Sequence, residues 1–148
     1  MKKVKLIEGG VAVDDRGSVS FINDVPLAKV KRFYIVKNFA QDTIRAWHGH
    51  LRESKLVCVV TGSALVLAVP LDDPKQPSRK QVPQRFVLSQ LKPTLLLIPA
   101  GYANGFRVLE PGTSLMYFST ATLGESKTDD YRLPWDYWGT EVWQVTNR

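Results

Sequence analysis

Residues 54–71 read SKLVCVVTGSALVLAVPL, which is two apolar runs separated by Thr-Gly-Ser. Each run is short and rich in valine and leucine, a composition typical of buried β-strands. Gly62 lies between the runs and supplies the positive φ angle that a tight turn requires. The stretch therefore predicts two strands joined by a hairpin turn at residues 61–63.

Runs of the same kind recur on both sides of this stretch. They are VKRFYIVKNF (residues 30–39), QRFVLS (84–89), PTLLLIPA (93–100), NGFRVLE (104–110) and TSLMYFST (113–120). Residues 70–84 carry four prolines and several charges, which predicts a surface loop, and EPGTS at 110–114 predicts another reversal. No run shows helical periodicity with caps, so we expect no helix and an all-β sandwich or barrel.

Length and composition limit the class of protein. With 148 residues, 44% of them hydrophobic and 23% charged, the chain is expected to fold as one domain over residues 1–148. The first ten residues lack a signal-peptide core, and no apolar run approaches the roughly 20 residues of a membrane span. Cys58 is the single cysteine, which excludes an internal disulfide and favours a reducing compartment such as the cytoplasm.

The formal charge of +6 favours an anionic partner. Lysine and arginine are scattered along the chain, and the aromatic-basic repeats of single-strand binders are missing from its sequence. We therefore expect neither a nucleic acid nor a membrane as partner, which leaves phosphorylated metabolites and acidic surfaces.

The two histidines of the chain, His48 and His50, stand in RAWHGH at residues 45–50. In a strand, side chains two residues apart point to the same face, so the two rings are expected to act together or to share a solvent-facing surface. Cupin metal sites add a glutamate and a late histidine to such a pair. Glu53 is available, but Asn104 stands where the late histidine is expected and is a poor ligand. A site with two histidines and one carboxylate stays open as an alternative.

Proton transfer is the other use of this pair. Histidine is the side chain whose ordinary pKa suits proton abstraction near neutral pH. Removing a proton beside a carbonyl also requires a cation or donor at the developing enolate oxygen and an acid that returns a proton. Lys55 and Tyr117 are the candidates for those two tasks. Each of these residues also has a purely structural alternative, in the core or at a strand end.

Several motifs together resemble a known family. DDRGSVSF, RAWHGH, KLVCVVTGSALVLAV, LIPAGYANGFRVL, LMYFST and LPWD occur in the order seen in the dTDP-4-keto-6-deoxyglucose (dTDP-4-dehydrorhamnose) 3,5-epimerases. The resemblance runs from about residue 14 to residue 136. It implies a cupin-type jelly roll, described as a β-barrel or sandwich, and a nucleotide-diphosphate sugar as substrate.

The resemblance also implies roles for individual residues. His48 matches the base that removes the proton beside the keto group, Lys55 the lysine near the keto oxygen, and Tyr117 the acid on the opposite face. Arg16 and Arg45 match arginines that bind the substrate. The substrate's own ketone acidifies the carbon, so neither a metal nor another cofactor is expected.

Departures from the family pattern leave alternatives open. Asn104 in GYANG replaces a usual histidine, which retains a polar substrate contact without acid-base capacity. The aspartate that pairs with the family's catalytic histidine has no equivalent, unless Glu53, Asp136 or a neighbouring subunit takes its role. HGHL also resembles the histidine pair of nucleotide-sugar 3,4-ketoisomerases, where His50 would act with His48. A metal-dependent cupin and a non-catalytic sugar-nucleotide binding protein are the remaining alternatives.

The resemblance finally implies an assembly. Family members are commonly homodimers that add an amino-terminal strand to the neighbour's sheet. Residues 1–13, MKKVKLIEGGVAV, resemble such a strand, and exposed strand edges favour this pairing.

Overall fold

A computed structural model describes residues 2–148, and Met1 lies outside the described part. The strands are β1 (Lys5–Glu8), β2 (Gly10–Asp14), β3 (Gly17–Phe21), β4 (Arg32–Lys37), β5 (Ile44–His50), β6 (Lys55–Thr61), β7 (Ser63–Pro70), β8 (Gln84–Ser89), β9 (Thr94–Ile98), β10 (Tyr102–Val108), β11 (Ser114–Ser119) and β12 (Tyr131–Arg132). A short helix, α1 (Leu123–Lys127), and two 3-10 turns, Leu27–Lys29 and Glu141–Trp143, complete the secondary structure of these residues. Across residues 2–148, every helix is too short or too polar to cross a membrane.

Most strands belong to two five-stranded antiparallel sheets. One, the β6 sheet, has the order β1-β9-β6-β11-β4, and the other, the β7 sheet, has the order β12-β5-β10-β7-β8. Val57, Leu96 and Leu115 from the β6 sheet pack with Val66 and Phe106 from the β7 sheet in one buried cluster. The predicted all-β jelly roll is confirmed. The hairpin of β2 and β3 stands apart as its own two-stranded sheet.

The outer face of the β7 sheet is covered by the chain that follows β12. Trp138 packs edge-on against the buried Trp47, with ring centroids 4.9 Å apart, and the ring centroid of Trp143 lies 5.0 Å from that of Trp47. The indole N–H groups of Trp47 and Trp143 both donate to the Trp135 carbonyl, each at 3.0 Å. These aromatic contacts shield β5 from solvent on the side away from the other sheet.

The turn at Gly62 joins the two sheets. Gly62 has the predicted positive φ, 82°. However, β6 pairs with β9 and β11, whereas β7 pairs with β8 and β10, so the two strands are not hydrogen-bonded to each other. The prediction of a hairpin here is wrong, because two apolar runs that flank a turn do not specify which strands they pair with by hydrogen bonds. The predicted loop over residues 70–84 and the reversal near Gly112 are confirmed.

Helix α1 corrects the expectation of no helix. Thr122 is its N-cap and accepts a hydrogen bond from the Glu125 N–H, while the Glu125 side chain accepts from the Thr122 N–H. This reciprocal capping box stabilises a single turn of helix without an amphipathic run. The sequence signal was Thr-Leu-Gly-Glu at residues 122–125, which is too short for a periodicity search to find.

The amino-terminal segment pairs within its own chain. Residues Lys5–Glu8 are hydrogen-bonded to β9. The predicted exchange of a strand between two chains stays a prediction. The next residues of the segment, Gly10–Asp14, form the exposed hairpin with β3.

Gly62 is expected to tolerate alanine much less well than Gly112. Both have positive φ angles, 82° and 75°, so each alanine variant adds backbone strain of about 1 kcal/mol. A Cβ at Gly62 would also lie 2.2 Å from Thr113 Oγ1 and 2.9 Å from its Cα, whereas Gly112 has nothing within 4 Å. We expect Gly62→Ala to lower the unfolding free energy by about 3 kcal/mol and Gly112→Ala by about 1 kcal/mol. Urea denaturation measures both, and equal losses would contradict the close approach.

Candidate active site

A cavity of about 400 Å³ opens between the two sheets. Strands β4, β6 and β11 line one side, strands β5, β10 and β12 line the other, and α1 borders it. Among the predicted residues, His48, His50, Lys55, Tyr117, Arg45 and Asn104 all line this cavity. The structure therefore brings the predicted base, cation, acid and binding residues together, while their roles stay predictions.

A bulge between β5 and β10 places Arg45 in the cavity. Asn104 pairs with His48 and Phe106 pairs with Arg45, so two steps along β10 oppose three along β5. A spacing of three would put Arg45 and His48 on opposite faces of a regular strand, and the extra residue restores a common face. The Asn104 amide also donates to the His48 carbonyl at 3.3 Å, which ties β10 to the bulged strand.

Arg16 is the predicted site residue that lies elsewhere. It follows β2 in the turn of the exposed hairpin, and its side chain is 86% exposed and paired with Asp14 at 2.5 Å. Asp136, a suggested partner of His48, lies in the chain after β12 and outside the cavity lining. Within a single chain, neither residue reaches the group formed by the histidines and Lys55.

His48 is a half-buried histidine in a positively charged setting. Burial and the nearby charge of Arg132 lower its pKa from 6.5 to about 4, although Asp130 acts in the opposite direction. The ring is therefore neutral at pH 7 and able to accept a proton. Arg132 donates to Asp130 at 3.0 Å, and both line the cavity. Sequence reasoning missed this pair because β12 is only two residues long.

The lowered pKa of His48 predicts a stability loss in acid. In the unfolded chain the ring takes a proton near pH 6.5, and in the folded chain only near pH 4. As the pH falls through this window, the unfolded state binds more protons, so stability decreases by about 3 kcal/mol. We expect His48→Asn to lose less unfolding free energy than the wild type between pH 7 and pH 4. Urea titrations of both proteins at a series of pH values measure this difference, and parallel curves would contradict it.

Glu53 is the centre of a buried charged cluster. Its carboxylate contacts Lys55 Nζ, accepts the Ser119 hydroxyl at 2.5 Å and lies 3.3 Å from Arg32 Nη2. The second carboxylate oxygen lies 3.3 Å from His50 Nδ1. Burial raises the pKa of Glu53, but the hydrogen bonds from Lys55 and Ser119 outweigh burial and hold it below its usual value. Glu53 is therefore a carboxylate at neutral pH.

Two tyrosines face each other on the β6 sheet. The rings of Tyr34 and Tyr117 are stacked 5.3 Å apart, and the cations of Arg32 and Lys55 each lie 5.1 Å from the Tyr34 centroid. Burial, and to a lesser degree Tyr34, raise the pKa of the Tyr117 hydroxyl. That hydroxyl therefore stays protonated at neutral pH and is available as a donor. Sequence reasoning missed Tyr34, because an aromatic residue within an apolar strand gives no functional signal.

A metal site would need His48, His50 and Glu53 as its ligands. Glu53, the carboxylate that would complete the set, is held through Oε1 by Lys55 and Ser119 and lies outside the lining of the cavity that His48 and His50 share. In the part of the chain from residue 2 to 148, no three histidine, cysteine or acidic side chains are arranged to hold a metal ion. These residues therefore do not fit a cupin metal centre.

Comparisons with known proteins identify the family of this chain. A model of the dTDP-4-dehydrorhamnose 3,5-epimerase family matches residues 1–137. The chain belongs to this family. The predicted family and the predicted class of enzyme, an isomerase, are thereby confirmed. A spore coat polysaccharide biosynthesis protein, SpsL of Bacillus subtilis, is 35% identical over 106 residues, which cover 66% of this chain and 68% of SpsL.

Solved structures of both reaction types share the fold. The dTDP-4-dehydrorhamnose 3,5-epimerase of Bacillus anthracis, with TDP and PPi bound, superposes with a TM-score of 0.74 at 24% identity, over 97% of this chain and 86% of that one. The 3,4-ketoisomerase QdtA of Thermoanaerobacterium thermosaccharolyticum, in complex with TDP, has a TM-score of 0.69 at 20% identity, over 91% of each chain. At these identities the likeness establishes the jelly roll, and the choice of reaction depends on the site.

Proposed function

We propose that the chain is a nucleotide-sugar epimerase that removes a proton alpha to the C4 ketone of a dTDP-4-keto-6-deoxyhexose, inverting C3 or both C3 and C5. One observation carries this proposal: His48, neutral at pH 7, shares a 400 Å³ cavity with Lys55 and Tyr117. These residues supply a base, a cation and a proton donor within one pocket. Membership of the epimerase family supports the same reaction.

The roles follow from the chemistry of each group. His48 takes the proton from carbon, and the C–H electron pair becomes the enolate, with negative charge on the C4 oxygen. Lys55 carries three N–H donors, so one can contact Glu53 while another stabilises that oxygen. Tyr117 or water returns a proton to the opposite face of the carbon, which inverts it.

The charge of the cavity supports a diphosphate ligand. Five cationic side chains line it against a single carboxylate, Asp130; the cations are Arg32, Arg45, Lys55, Lys127 and Arg132. Such an excess attracts and holds phosphate groups. We propose that Arg45 and Asn104 bind the substrate, as the family resemblance implies.

A 3,4-ketoisomerase is the second candidate, because His48 and His50 line the same cavity from one strand. Two bases on the same side of the sugar can together move a proton between neighbouring carbons.

The discriminating experiment incubates dTDP-4-keto-6-deoxyglucose with the protein in deuterated water and follows the sugar by proton NMR, with and without chelator. Deuterium at C3, or at C3 and C5, supports the epimerase, whereas a ketone moved to C3 identifies the ketoisomerase. The absence of any exchange would refute both reactions on this substrate.

We propose further that the chain forms a homodimer and works in the cytoplasm. The exposed hairpin of β2 and β3 supports an exchange between chains, since Val13 and Val19 are 76% and 63% exposed. Phe33 and Ile35 present a further apolar surface on β4. In such a dimer the hairpin would carry Arg16 toward the partner's cavity. Light scattering at micromolar concentration tests the assembly, and a monomer would refute it.

A further inference from the structure

His50 is held by a backbone group that determines its tautomer. Its Nδ1 lies 2.5 Å from the Asp129 carbonyl oxygen, and His50 is only 6% exposed. A carbonyl oxygen accepts hydrogen bonds and donates none, so Nδ1 carries the proton. In the neutral ring the lone pair is then on Nε2. The ring also lines the 400 Å³ cavity, and within residues 2–148 no hydrogen bond occupies Nε2.

Asp129 also fixes the turn that follows β5. Its buried carboxylate accepts the backbone N–H groups of Leu51 and Arg52 at 2.8 Å each, and that of Glu53 at 3.1 Å. The turn therefore has one conformation, in which Glu53 folds back beside His50. Three charge-assisted hydrogen bonds to one carboxylate form a rigid anchor.

The second carboxylate oxygen of Glu53, Oε2, lies beside the ring of His50. Glu53 Oε1 is taken by Lys55 and Ser119, while Oε2 lies 3.3 Å from His50 Nδ1. Within the described chain Oε2 is buried and meets no donor in hydrogen-bond geometry, although the Ser126 hydroxyl is close enough to Glu53 to help lower its pKa. An unpaired buried carboxylate oxygen is unfavourable, and a positive charge on the neighbouring ring would stabilise it.

We propose that Asp129 and Glu53 are positioning residues that make His50 a second proton carrier of this cavity, an inference that rests on the proposed function. Asp129 directs Nε2 toward the substrate, and Glu53 stabilises the ring once Nε2 has taken a proton. The proton comes from the substrate carbon or from the enol hydroxyl, the electron pair stays on the enolate, and His50 then passes the proton to an enolate oxygen or to the neighbouring carbon. A carboxylate that orients a histidine and stabilises its protonated form is an established device for proton transfer.

The tautomer of His50 is the first test, and it needs no substrate. The chain has two histidines, so labelling histidine with ¹⁵N gives the imidazole signals of two rings, and His48→Asn assigns them. We expect His50 to show a protonated Nδ1 and an unprotonated Nε2 at pH 8. A protonated Nε2 would overturn the proposal, whether or not the protein turns over the sugar.

Removal of the Glu53 charge is the second test. Glu53→Gln keeps the shape of the side chain, and Glu8→Gln makes the same change in the exposed pair with Lys92. We expect Glu53→Gln to lower kcat by about 10²-fold with a change in dTDP affinity below about threefold, and Glu8→Gln to leave both unchanged. A wild-type kcat in Glu53→Gln, or equal losses of kcat and dTDP affinity, would overturn the proposal. If the wild type itself shows no turnover, the proposed function is refuted. The tautomer of His50 is then the one remaining test of whether Asp129 and Glu53 position its ring.

Discussion

Replacement of His48 by Asn is expected to lower kcat by about 10³-fold, because a positioned general base contributes about 10² to 10⁴ to the rate. The neutral ring, with a pKa of about 4, is ready to accept a proton at pH 7, and asparagine is not. The substrate's diphosphate is expected to contact the cationic side chains, which the substitution leaves in place. Affinity for dTDP should therefore change by less than about threefold. Deuterium exchange at C3 measures the rate, and calorimetry measures binding.

The same substitution at His50 provides an internal comparison for His48→Asn. If the protein is the epimerase, His48→Asn lowers exchange at the inverted carbon by about 10³-fold, while His50→Asn retains more of it. In the ketoisomerase, both variants stop the ketone from moving. Undiminished turnover in His48→Asn would rule this residue out as the base.

Replacement of Lys55 by Met is expected to lower the unfolding free energy by about 3 kcal/mol. Lys55 contacts the fully buried carboxylate of Glu53, and methionine leaves that charge with Arg32 and His50 Nδ1, each 3.3 Å away, and with the Ser119 hydroxyl. An uncompensated charge in a buried site is among the largest destabilising effects of a single substitution. Urea denaturation at pH 7 measures the loss. Turnover should fall too, since the enolate loses its cation.

Lys92 supplies the matched control. It makes an ion pair with Glu8 at 3.0 Å, and both side chains are more than 60% exposed. Lys92→Met should change stability by less than about 0.5 kcal/mol, because exposed ion pairs are weak. The double variant Lys55→Met, Glu53→Gln should recover part of the loss, since the unpaired charge is gone. Equal effects of Lys55→Met and Lys92→Met would contradict the buried cluster.

Strand positions were largely predictable from local sequence. QRFVLS coincides with β8, the runs at residues 30–39, 93–100 and 113–120 each contain one strand, and the run at 104–110 overlaps β10, which begins earlier, at Tyr102. The signal is strong because strands that face a core need apolar residues, and their ends need glycine or proline. Strand β3, GSVSF, escaped detection because it is exposed along its whole length and small polar residues alternate through it.

The candidate site was predictable where one strand carries its residues. His48 and His50 were expected on one face because they are two residues apart, and both line the cavity. The role of Glu53 was not predictable in detail. Sequence reasoning offered it as a metal ligand or as a partner of His48, whereas it contacts Lys55 and His50.

The sequence by itself determined the class of fold, the strand positions and the chemical groups available to the site. Periodicity and turn residues act between near neighbours, and these properties depend on them alone. Tertiary structure decided that β6 and β7 lie in different sheets, that a bulge turns Arg45 into the cavity, and that Asp129 anchors a turn 76 residues away at Glu53. Such contacts depend on strand pairing and packing between distant segments, which local patterns do not specify.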